Sequence, residues 1–377
     1  MTTSTLAMPR VPFLELAVTN REIKDDVLGE IAALIDAGEF TNGPAVAEFE
    51  AAFARYCGTA FAVGVASGLD ALRLSLIAAG IDDGDEVLVP ANTFVATLEA
   101  VTQAGGRPVV VDMAEDDWNM DPVGAEAAVS SRTRFIMPVH LYGQLADMRA
   151  LDELAKRHRL TVVEDACQAH GAERDDLRAG ARAAAAAFSF YPGKNLGAFG
   201  DAGALVTNDA RLADDVRALR EHGQRAKYMH DREGYTARLD TIQALVLLKK
   251  LDYLDEWNRA RASIASAYLE GLDAVGDLEL PPVAAHSSSA WHLFVVRTGD
   301  PAALAEFLRE RGIGTGRHYP VPVHLTGAYA HLGYTAGEFP RAERHAERVL
   351  SLPIFPGMAL EQADSVVAAT RAFFGRG

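Results

Sequence analysis

Apolar residues recur at helical spacing near the start of the chain and later fall into short continuous runs. The helical sets are Ile23, Val27, Ile31 and Leu34 within Asn20 to Ala37, then Val46, Phe49, Phe53 and Tyr56. Each set forms one apolar face, so both stretches are predicted helices. The short runs are 61–65, 85–89, 108–112, 135–139, 160–164, 188–190 and 204–206, with a helix predicted over 148–158. Strands separated by helical stretches predict an α/β fold, a mostly parallel sheet with helices on both faces.

The last third of the chain has a different pattern. A long helix is predicted from about Leu254 to Tyr268, then a strand from Trp291 to Arg297 and a helix from Pro301 to Arg311. Such a mixture is typical of a smaller α+β domain. We expect a large α/β domain over residues 1–255, with residues 1–10 disordered, and an α+β C-terminal domain over residues 256–377.

Composition narrows the choice of partners and compartment. The chain has 377 residues, 49% of them hydrophobic, which is enough for one large and one smaller core. A formal charge of -16 argues against nucleic acid or an anionic membrane as the main partner. Cys57 and Cys167 give no disulfide framework, and no apolar run resembles a signal peptide or a membrane span. We therefore expect a cytoplasmic protein.

The stretch from Ala184 to Thr207 reads AAAAFSFYPGKNLGAFGDAGALVT and contains the first candidate for chemistry. An apolar strand is followed by a turn at Pro192-Gly193, by Lys194, and by a glycine-rich segment. A lysine in such a turn is most often a solvated loop residue. The functional alternative is a Schiff-base lysine, with Ser189 and backbone amides holding a phosphate.

A second stretch favours the functional alternative for Lys194. Leu160 to Gly171 reads LTVVEDACQAHG, an apolar strand that ends at Glu164-Asp165. A carboxylate at the carboxyl end of a buried strand lies where α/β sheets bind ligands. Alone it could be a loop cap or a metal ligand. Together with a downstream lysine it fits pyridoxal phosphate, because the carboxylate keeps the pyridine nitrogen protonated while the lysine binds the aldehyde carbon.

Two further segments have both a structural and a functional interpretation. Ser67-Gly68-Leu69 follows a strand and opens an apolar helix, so it is either a capped helix start or a phosphate site at a helix N-terminus. Gly316 to His324 reads GRHYPVPVH, with two histidines and a tyrosine. No third ligand at metal-site spacing accompanies these histidines, so no metal site is expected.

The combination VVEDACQAHGA and FSFYPGKNLGAFGDAGALVTND resembles the sugar aminotransferases of the DegT/DnrJ/EryC1/StrS family. These are fold-type I pyridoxal phosphate enzymes. The resemblance extends from Val11 to Pro353. It implies Lys194 as the Schiff-base residue and Asp165 as the partner of the pyridine nitrogen.

The resemblance also implies roles for residues around the cofactor. Phe94, which could otherwise be simple core, is expected to stack on the pyridine ring, and Gln168 to hydrogen-bond its O3′ atom. Ser67, Gly68, Leu69 and Ser189 are the candidates for the cofactor phosphate. Leu69 stands where many relatives have threonine, and the form GLDAL resembles the subset that acts at C-3 of the sugar. His318 and Tyr319 are expected to face the substrate.

A homodimer with shared active sites is also implied by the resemblance. In relatives an asparagine at the position of Thr236 reaches the partner subunit's cofactor phosphate. Threonine keeps one hydroxyl donor, so the contact is expected to persist in weaker form. Arg238 is the candidate for an anionic group, either the carboxylate of the amino donor or the phosphates of the sugar nucleotide.

The function that follows is transfer of an amino group from glutamate or glutamine to a keto group of a dTDP-linked deoxy sugar, through pyridoxal and pyridoxamine phosphate. C-3 is the expected position and C-4 the alternative. A pyridoxamine-dependent sugar dehydratase shares the fold, but its members carry histidine at the position of Lys194. A non-catalytic regulator is expected to have lost Lys194 or Asp165, and both are present.

Overall fold

The computed structural model describes residues 10–375, and its elements follow the predicted alternation of strands and helices. The helices are α1 (Leu16–Ala37), α2 (Pro44–Cys57), α3 (Gly68–Ala78), α4 (Val95–Gln103), α5 (Pro122–Ala127), α6 (Met148–His158), α7 (Ala210–Arg220), α8 (Thr241–Leu251), α9 (Leu254–Gly271), α10 (Pro301–Glu310), α11 (Pro340–Arg348) and α12 (Leu360–Phe374). The strands are β1 (Phe61–Val65), β2 (Glu86–Pro90), β3 (Arg107–Val111), β4 (Thr133–Ile136), β5 (Thr161–Asp165), β6 (Glu173–Arg174), β7 (Leu177–Arg178), β8 (Ala185–Ser189), β9 (Gly203–Thr207), β10 (Gln224–Ala226), β11 (Met229–His230), β12 (Ser287–Ser288), β13 (Phe294–Arg297) and β14 (Val349–Leu352). Except for Arg10, the segment predicted to be disordered lies outside the described residues.

The central sheet of the described part has seven strands in the order β1-β9-β8-β5-β4-β2-β3. Neighbouring strands run parallel except at β9, which is antiparallel to both β1 and β8. The predicted mostly parallel α/β sheet is therefore confirmed. Because parallel strands are connected across the faces of the sheet, their carboxyl ends meet at one edge.

Alternate residues of the strands enter different hydrophobic clusters on the two faces of the sheet. Val63 and Val65 of β1 pack with α3, α4 and α7, whereas Ala62 packs with Phe49 and Phe53 of α2. This is the two-residue period of a strand covered on both faces. The alanines of β8 divide in the same way, and their small side chains let the bulky residues of α2 and α3 approach the sheet closely.

The C-terminal part combines an antiparallel strand pair with helices. β13 pairs with β14, and Phe294 and Val296 pack in a cluster with residues of α9, α10 and α12. The predicted α+β character of this part agrees with that arrangement. The domain boundary after residue 255 stays a prediction.

Several details differ from the sequence predictions. The strand predicted from Trp291 to Arg297 begins only at Phe294. The strand predicted over 135–139 is regular only to Ile136, because Pro138 has no N–H to donate, although Met137 N still donates to Leu88 O at 2.9 Å. The predicted surface loop at 223–234 contains the β10–β11 hairpin, whose tip residue Tyr228 is 81% exposed. A small sheet of β12, β6 and β7 has no counterpart in the predictions, since its strands have only two residues each.

Within residues 10–375, every helix is too short or too polar to cross a bilayer.

Candidate active site

A cavity of about 630 Å³ lies where the strands of the central sheet end. Its wall includes most of the residues singled out from the sequence. These are Ser67, Gly68, Leu69, Phe94, Asp165, Gln168, Ser189, Lys194, His318 and Tyr319. They lie at or just after the ends of β1, β2, β5 and β8 or come from the loop after residue 316. Chain segments far apart in sequence therefore converge at one edge of the sheet.

Lys194 lies in the turn that follows β8. Its backbone N–H donates to Tyr191 O at 2.8 Å. A β-carbon at Gly197 would lie 2.3 Å from Pro192 O, so only glycine allows the chain to pass this close. Burial lowers the pKa of the Lys194 amine from the ordinary lysine value, although the acidic groups of Cys167 and Asp165 oppose part of this shift. A larger neutral fraction makes the amine a better nucleophile and base.

Asp165, the last residue of β5, is 6% exposed. Its Oδ2 accepts a hydrogen bond from Thr97 Oγ1 at 2.7 Å, and its Oδ1 accepts one from Cys167 N at 3.2 Å. Thr97 Oγ1 also lies 2.7 Å from Thr93 Oγ1. Since the single hydrogen of the Thr97 hydroxyl goes to the carboxylate, Thr93 donates to Thr97. In the described part of the chain the Asp165 carboxylate has no ion-pair partner, so it can hold a cationic ligand atom.

Glu164, the neighbour of Asp165 on β5, has different contacts. Its Oε2 accepts hydrogen bonds from His140 Nε2 and Gly180 N, both at 2.8 Å. His140 Nδ1 accepts from Ala146 N at 3.1 Å, so both ring nitrogens have a partner. These bonds hold the Glu164 carboxylate inside the protein, and Asp165 is the β5 carboxylate that lines the cavity.

The start of α3 lies against the end of β8. Ser67 is the N-cap, and its Oγ accepts from Asp70 N at 3.0 Å, so the capped-helix interpretation is correct. A β-carbon on Gly68 would lie 2.6 Å from the β-carbon of Ser189, which explains the glycine. Ser189 Oγ accepts from Tyr191 N at 3.3 Å, and within residues 10–375 its hydrogen has no acceptor. The uncapped first-turn amides and this hydroxyl form a donor set suited to phosphate.

Gln168 is held in one orientation. Its Oε1 accepts from Tyr142 N at 2.7 Å, so its Nε2 donates to Tyr319 Oη at 3.1 Å and keeps one hydrogen free. The Tyr319 ring lies 5.3 Å from the ring of Phe94, which is 49% exposed. A phenylalanine this exposed in a cavity wall is not core packing, and its ring can stack on a planar ligand.

The two histidines of the 316–324 loop have separate partners. His318 Nδ1 lies 2.8 Å from Ser351 Oγ, and the His318 ring stacks on Phe13 at 5.6 Å. Burial lowers the pKa of His318 to about 4, so this ring is neutral at neutral pH. His324 Nε2 lies 3.2 Å from Glu343 Oε1 in a different environment. The loop therefore gives the cavity a neutral histidine and the tyrosine Tyr319.

Thr236 and Arg238 are the two predicted site residues that do not line this cavity. Arg238 Nη1 forms an ion pair with Glu221 Oε1 at 2.9 Å, and the exposed Thr236 hydroxyl lies 3.2 Å from His222 Nε2. Their predicted role in the partner subunit's site stays a prediction.

Sequence reasoning missed several residues of the cavity wall. Among them are Thr93, Cys167, Arg261 and His292, together with Thr97 behind them. Thr93 and Thr97 are four residues apart at the start of a helix, a spacing that brings two side chains into contact. This spacing is the only sequence pattern that points to any of these residues. Arg261 and His292 come from α9 and from the segment before β13, and no local motif marks them.

The donor set of the cavity fits pyridoxal phosphate. Asp165 provides a buried anion for the pyridine nitrogen, and Lys194 provides an amine for the aldehyde carbon. The start of α3 and Ser189 can bind the phosphate, and Phe94 offers a ring face. The fold and the cavity thus define an α/β enzyme of the pyridoxal phosphate class.

The chain belongs to the DegT/DnrJ/EryC1/StrS aminotransferase family, whose sequence profile matches residues 21–371. It is 50% identical over 368 residues to a dTDP-3-amino-3,4,6-trideoxy-alpha-D-glucose transaminase of Streptomyces venezuelae, covering 98% of this chain and 97% of the relative. The family resemblance found in the sequence is therefore confirmed.

Solved structures give the same result. The crystal structure of S. venezuelae DesV in complex with a ketimine intermediate superposes with a TM-score of 0.96 at 49% identity, covering 98% of this chain and 100% of that chain. The crystal structure of NtdA from Bacillus subtilis, with bound cofactor PMP, gives a TM-score of 0.91 at 32% identity, covering 99% and 87%.

Proposed function

We propose that the protein transfers an amino group from glutamate or glutamine to the C-3 keto group of a dTDP-linked deoxy sugar. The product would serve the biosynthesis of an amino sugar for a secondary metabolite or a surface glycan. The observation that carries the proposal is that Lys194 and Asp165 line the same cavity. The C-3 position is supported by the similarity to the S. venezuelae transaminase.

Lys194 and Asp165 have distinct proposed roles. Pyridoxal phosphate, when bound, supplies a carbonyl that takes up the amino group and a ring that accepts an electron pair. Lys194 moves the proton at the substrate carbon that loses or gains nitrogen, and its lowered pKa suits that role. Asp165 holds a proton at the pyridine nitrogen, and the hydrogen bond from Thr97 Oγ1 orients its carboxylate.

The other residues orient the ligands. Gln168 donates its free hydrogen to O3′, and Phe94 stacks on the ring. The amides of Gly68 and Leu69 bind the phosphate with the Ser189 hydroxyl, while the Ser67 hydroxyl caps α3. His318 and Tyr319 face the sugar. Because His318 is neutral, it contributes hydrogen bonding rather than charge at this point.

We also propose that the enzyme works as a cytoplasmic homodimer. Thr236 and Arg238 are exposed or half-buried and lie outside the cavity of their own chain. Residues at such positions can complete the partner subunit's site. The alternative, that they act only within their own chain, is tested below by mixing two variants.

The decisive assay loads the purified protein with pyridoxamine phosphate and follows the absorbance of the aldehyde form. The titrants are matched 3-keto and 4-keto dTDP-deoxy sugars. Turnover with the 3-keto sugar, and little with its 4-keto counterpart, is the expected result. The opposite preference would establish the C-4 alternative, and no response to either sugar would overturn the substrate class.

A further inference from the structure

Arg261 of α9 is a buried arginine in the cavity wall. It is 2% exposed and lines the cavity with His292 and Ile354. Its Nη1 donates to three carbonyl oxygens, Trp291 O and His292 O at 3.3 Å and Ile354 O at 2.9 Å. Because two of these acceptors belong to wall residues, the guanidinium group lies in the wall itself.

The Arg261 charge has no counterion in the described part of the chain. Its Nε is buried without a hydrogen-bond partner, and within residues 10–375 its Nη2 has none either. Carbonyl dipoles do not neutralise a full charge, and an unpaired buried charge is costly. Arg297, 8% exposed, shows the usual arrangement, since it forms ion pairs with Glu115 and Glu279.

Arg261 also keeps its charge at neutral pH. Burial lowers its pKa to about 9, which is still above neutral. Lys250 is likewise buried, and its Nζ donates to Gly197 O at 2.7 Å and lies 5.0 Å from the centre of the Phe199 ring. Its pKa is lowered to about 8, so it can lose its proton more easily. Burial also lowers the pKa values of His292 and His318, which leaves both rings neutral.

The position of Arg261 relative to Lys194 limits which anion it can bind. Both residues line the large cavity and also a small adjoining cavity of about 20 Å³. In an amino acid, the α-carboxylate is bonded to the carbon whose proton Lys194 would move. It must therefore lie close to Lys194, whereas a sugar ring separates the diphosphate of a nucleotide sugar from the keto carbon.

We propose that Arg261 binds the α-carboxylate of the amino donor. Nε and Nη2 share the edge of the guanidinium group that forms two parallel hydrogen bonds with a carboxylate. Within residues 10–375, Nε has no hydrogen-bond partner and the bonds of Arg261 all come from Nη1. The inference rests on the proposed aminotransferase function. Arg238 is a candidate for either the donor carboxylate or the phosphates of the sugar nucleotide. If Arg261 binds the carboxylate, the phosphates remain as the ligand of Arg238, which forms an ion pair with Glu221 outside the cavity.

The test uses glutarate, a dicarboxylate without an amine, and thymidine diphosphate as equilibrium probes. Their dissociation constants are measured calorimetrically on the pyridoxal phosphate-loaded wild type and on Arg261→Lys and Arg261→Gln. We expect both variants to bind glutarate about tenfold or more weakly, since they lose bidentate contact or charge, and to bind thymidine diphosphate unchanged. Arg297→Gln is the matched control, since it changes a buried arginine that lines neither cavity, and it should leave glutarate binding unchanged.

Unchanged glutarate binding in folded Arg261 variants would overturn the proposal, and so would weaker binding of thymidine diphosphate alone. Melting temperatures report whether the variants fold. If the variants do not fold, a crystal structure of the wild type with glutarate is the test. A glutarate carboxylate bound to Arg261 would support the proposal, and glutarate carboxylates bound only to other residues would contradict it. Failure of the proposed function would appear differently, as wild-type enzyme that does not react with any amino acid donor.

Discussion

Charged side chains lack ionic partners in the cavity wall but have them in the surface segment around Arg238. In the wall, Asp165 and Arg261 are buried and have no ionic partner in the described part of the chain. At the surface, Arg238 is paired with Glu221, which also accepts from Asn42 Nδ2 at 3.1 Å. Unpaired buried charges indicate where ligand charges are to be bound, whereas the paired surface charges are satisfied within their own chain.

The largest effect is expected from neutralising the buried anion. Asp165→Asn keeps the shape of the side chain but removes the charge that we propose holds a proton at the pyridine nitrogen. We expect turnover to fall by about three orders of magnitude, with the cofactor still partly bound. Turnover is measured in both half-reactions and cofactor content by absorbance.

Glu164→Gln is the matched control for that variant. It alters the adjacent carboxylate on β5, which is bound to His140 and Gly180 rather than facing the cavity. We expect a lower melting temperature and a much smaller change in turnover. Near-normal turnover of Asp165→Asn would show that the electrostatic partner has been assigned to the wrong carboxylate.

Mixing two inactive variants tests whether the surface segment serves a second subunit. Lys194→Ala and Arg238→Ala should each be nearly inactive, yet every mixed dimer would contain one intact site if sites are shared. After full exchange, about a quarter of the wild-type activity is expected. Mass spectrometry of differently tagged subunits provides the control for exchange. No recovery despite proven exchange would mean that each chain builds its own site.

A smaller effect is expected from the hydroxyl that donates to Asp165. Thr97→Val removes that donor at nearly constant volume, and a hydrogen bond to a charged group contributes about 1.5–3 kcal/mol. We expect turnover to fall about tenfold or more. Thr102→Val, on the same helix but bonded to the carbonyls of Leu98 and Glu99, is the control. Equal effects of the two variants would argue against a specific role of Thr97.

The smallest effect is expected at Thr236. Its hydroxyl is exposed and lies near His222. Because an exposed hydrogen bond contributes little, removing this hydroxyl from a contact with the partner's cofactor phosphate should weaken cofactor binding by about 1 kcal/mol, or about fivefold. Thr236→Val should show this loss, and Thr236→Asn should tighten binding. Cofactor dissociation constants from fluorescence titration give the comparison, and identical values for both variants would remove Thr236 from the site.

The parts of the site that sequence reasoning identified lie in continuous stretches. Lys194 and Asp165 each follow a strand whose apolar run is visible in the sequence, and strand ends converge in parallel sheets. Arg261 could not be found this way, because only tertiary contact brings α9 to the cavity. Likewise, β4 ends early because Pro138 stands where the next backbone N–H of the strand would have to donate. The ion pair of Arg238 with Glu221 depends on how α7 packs.

The central claim is that Lys194 is the residue that binds the cofactor. The purified protein is expected to be yellow and to lose its visible absorbance on treatment with borohydride, which fixes the cofactor to the amine that holds it. Peptide mapping by mass spectrometry should then place the reduced adduct on Lys194, and the Lys194→Ala variant should give no adduct. An adduct on any other lysine, or none on the cofactor-loaded wild type, would contradict the account.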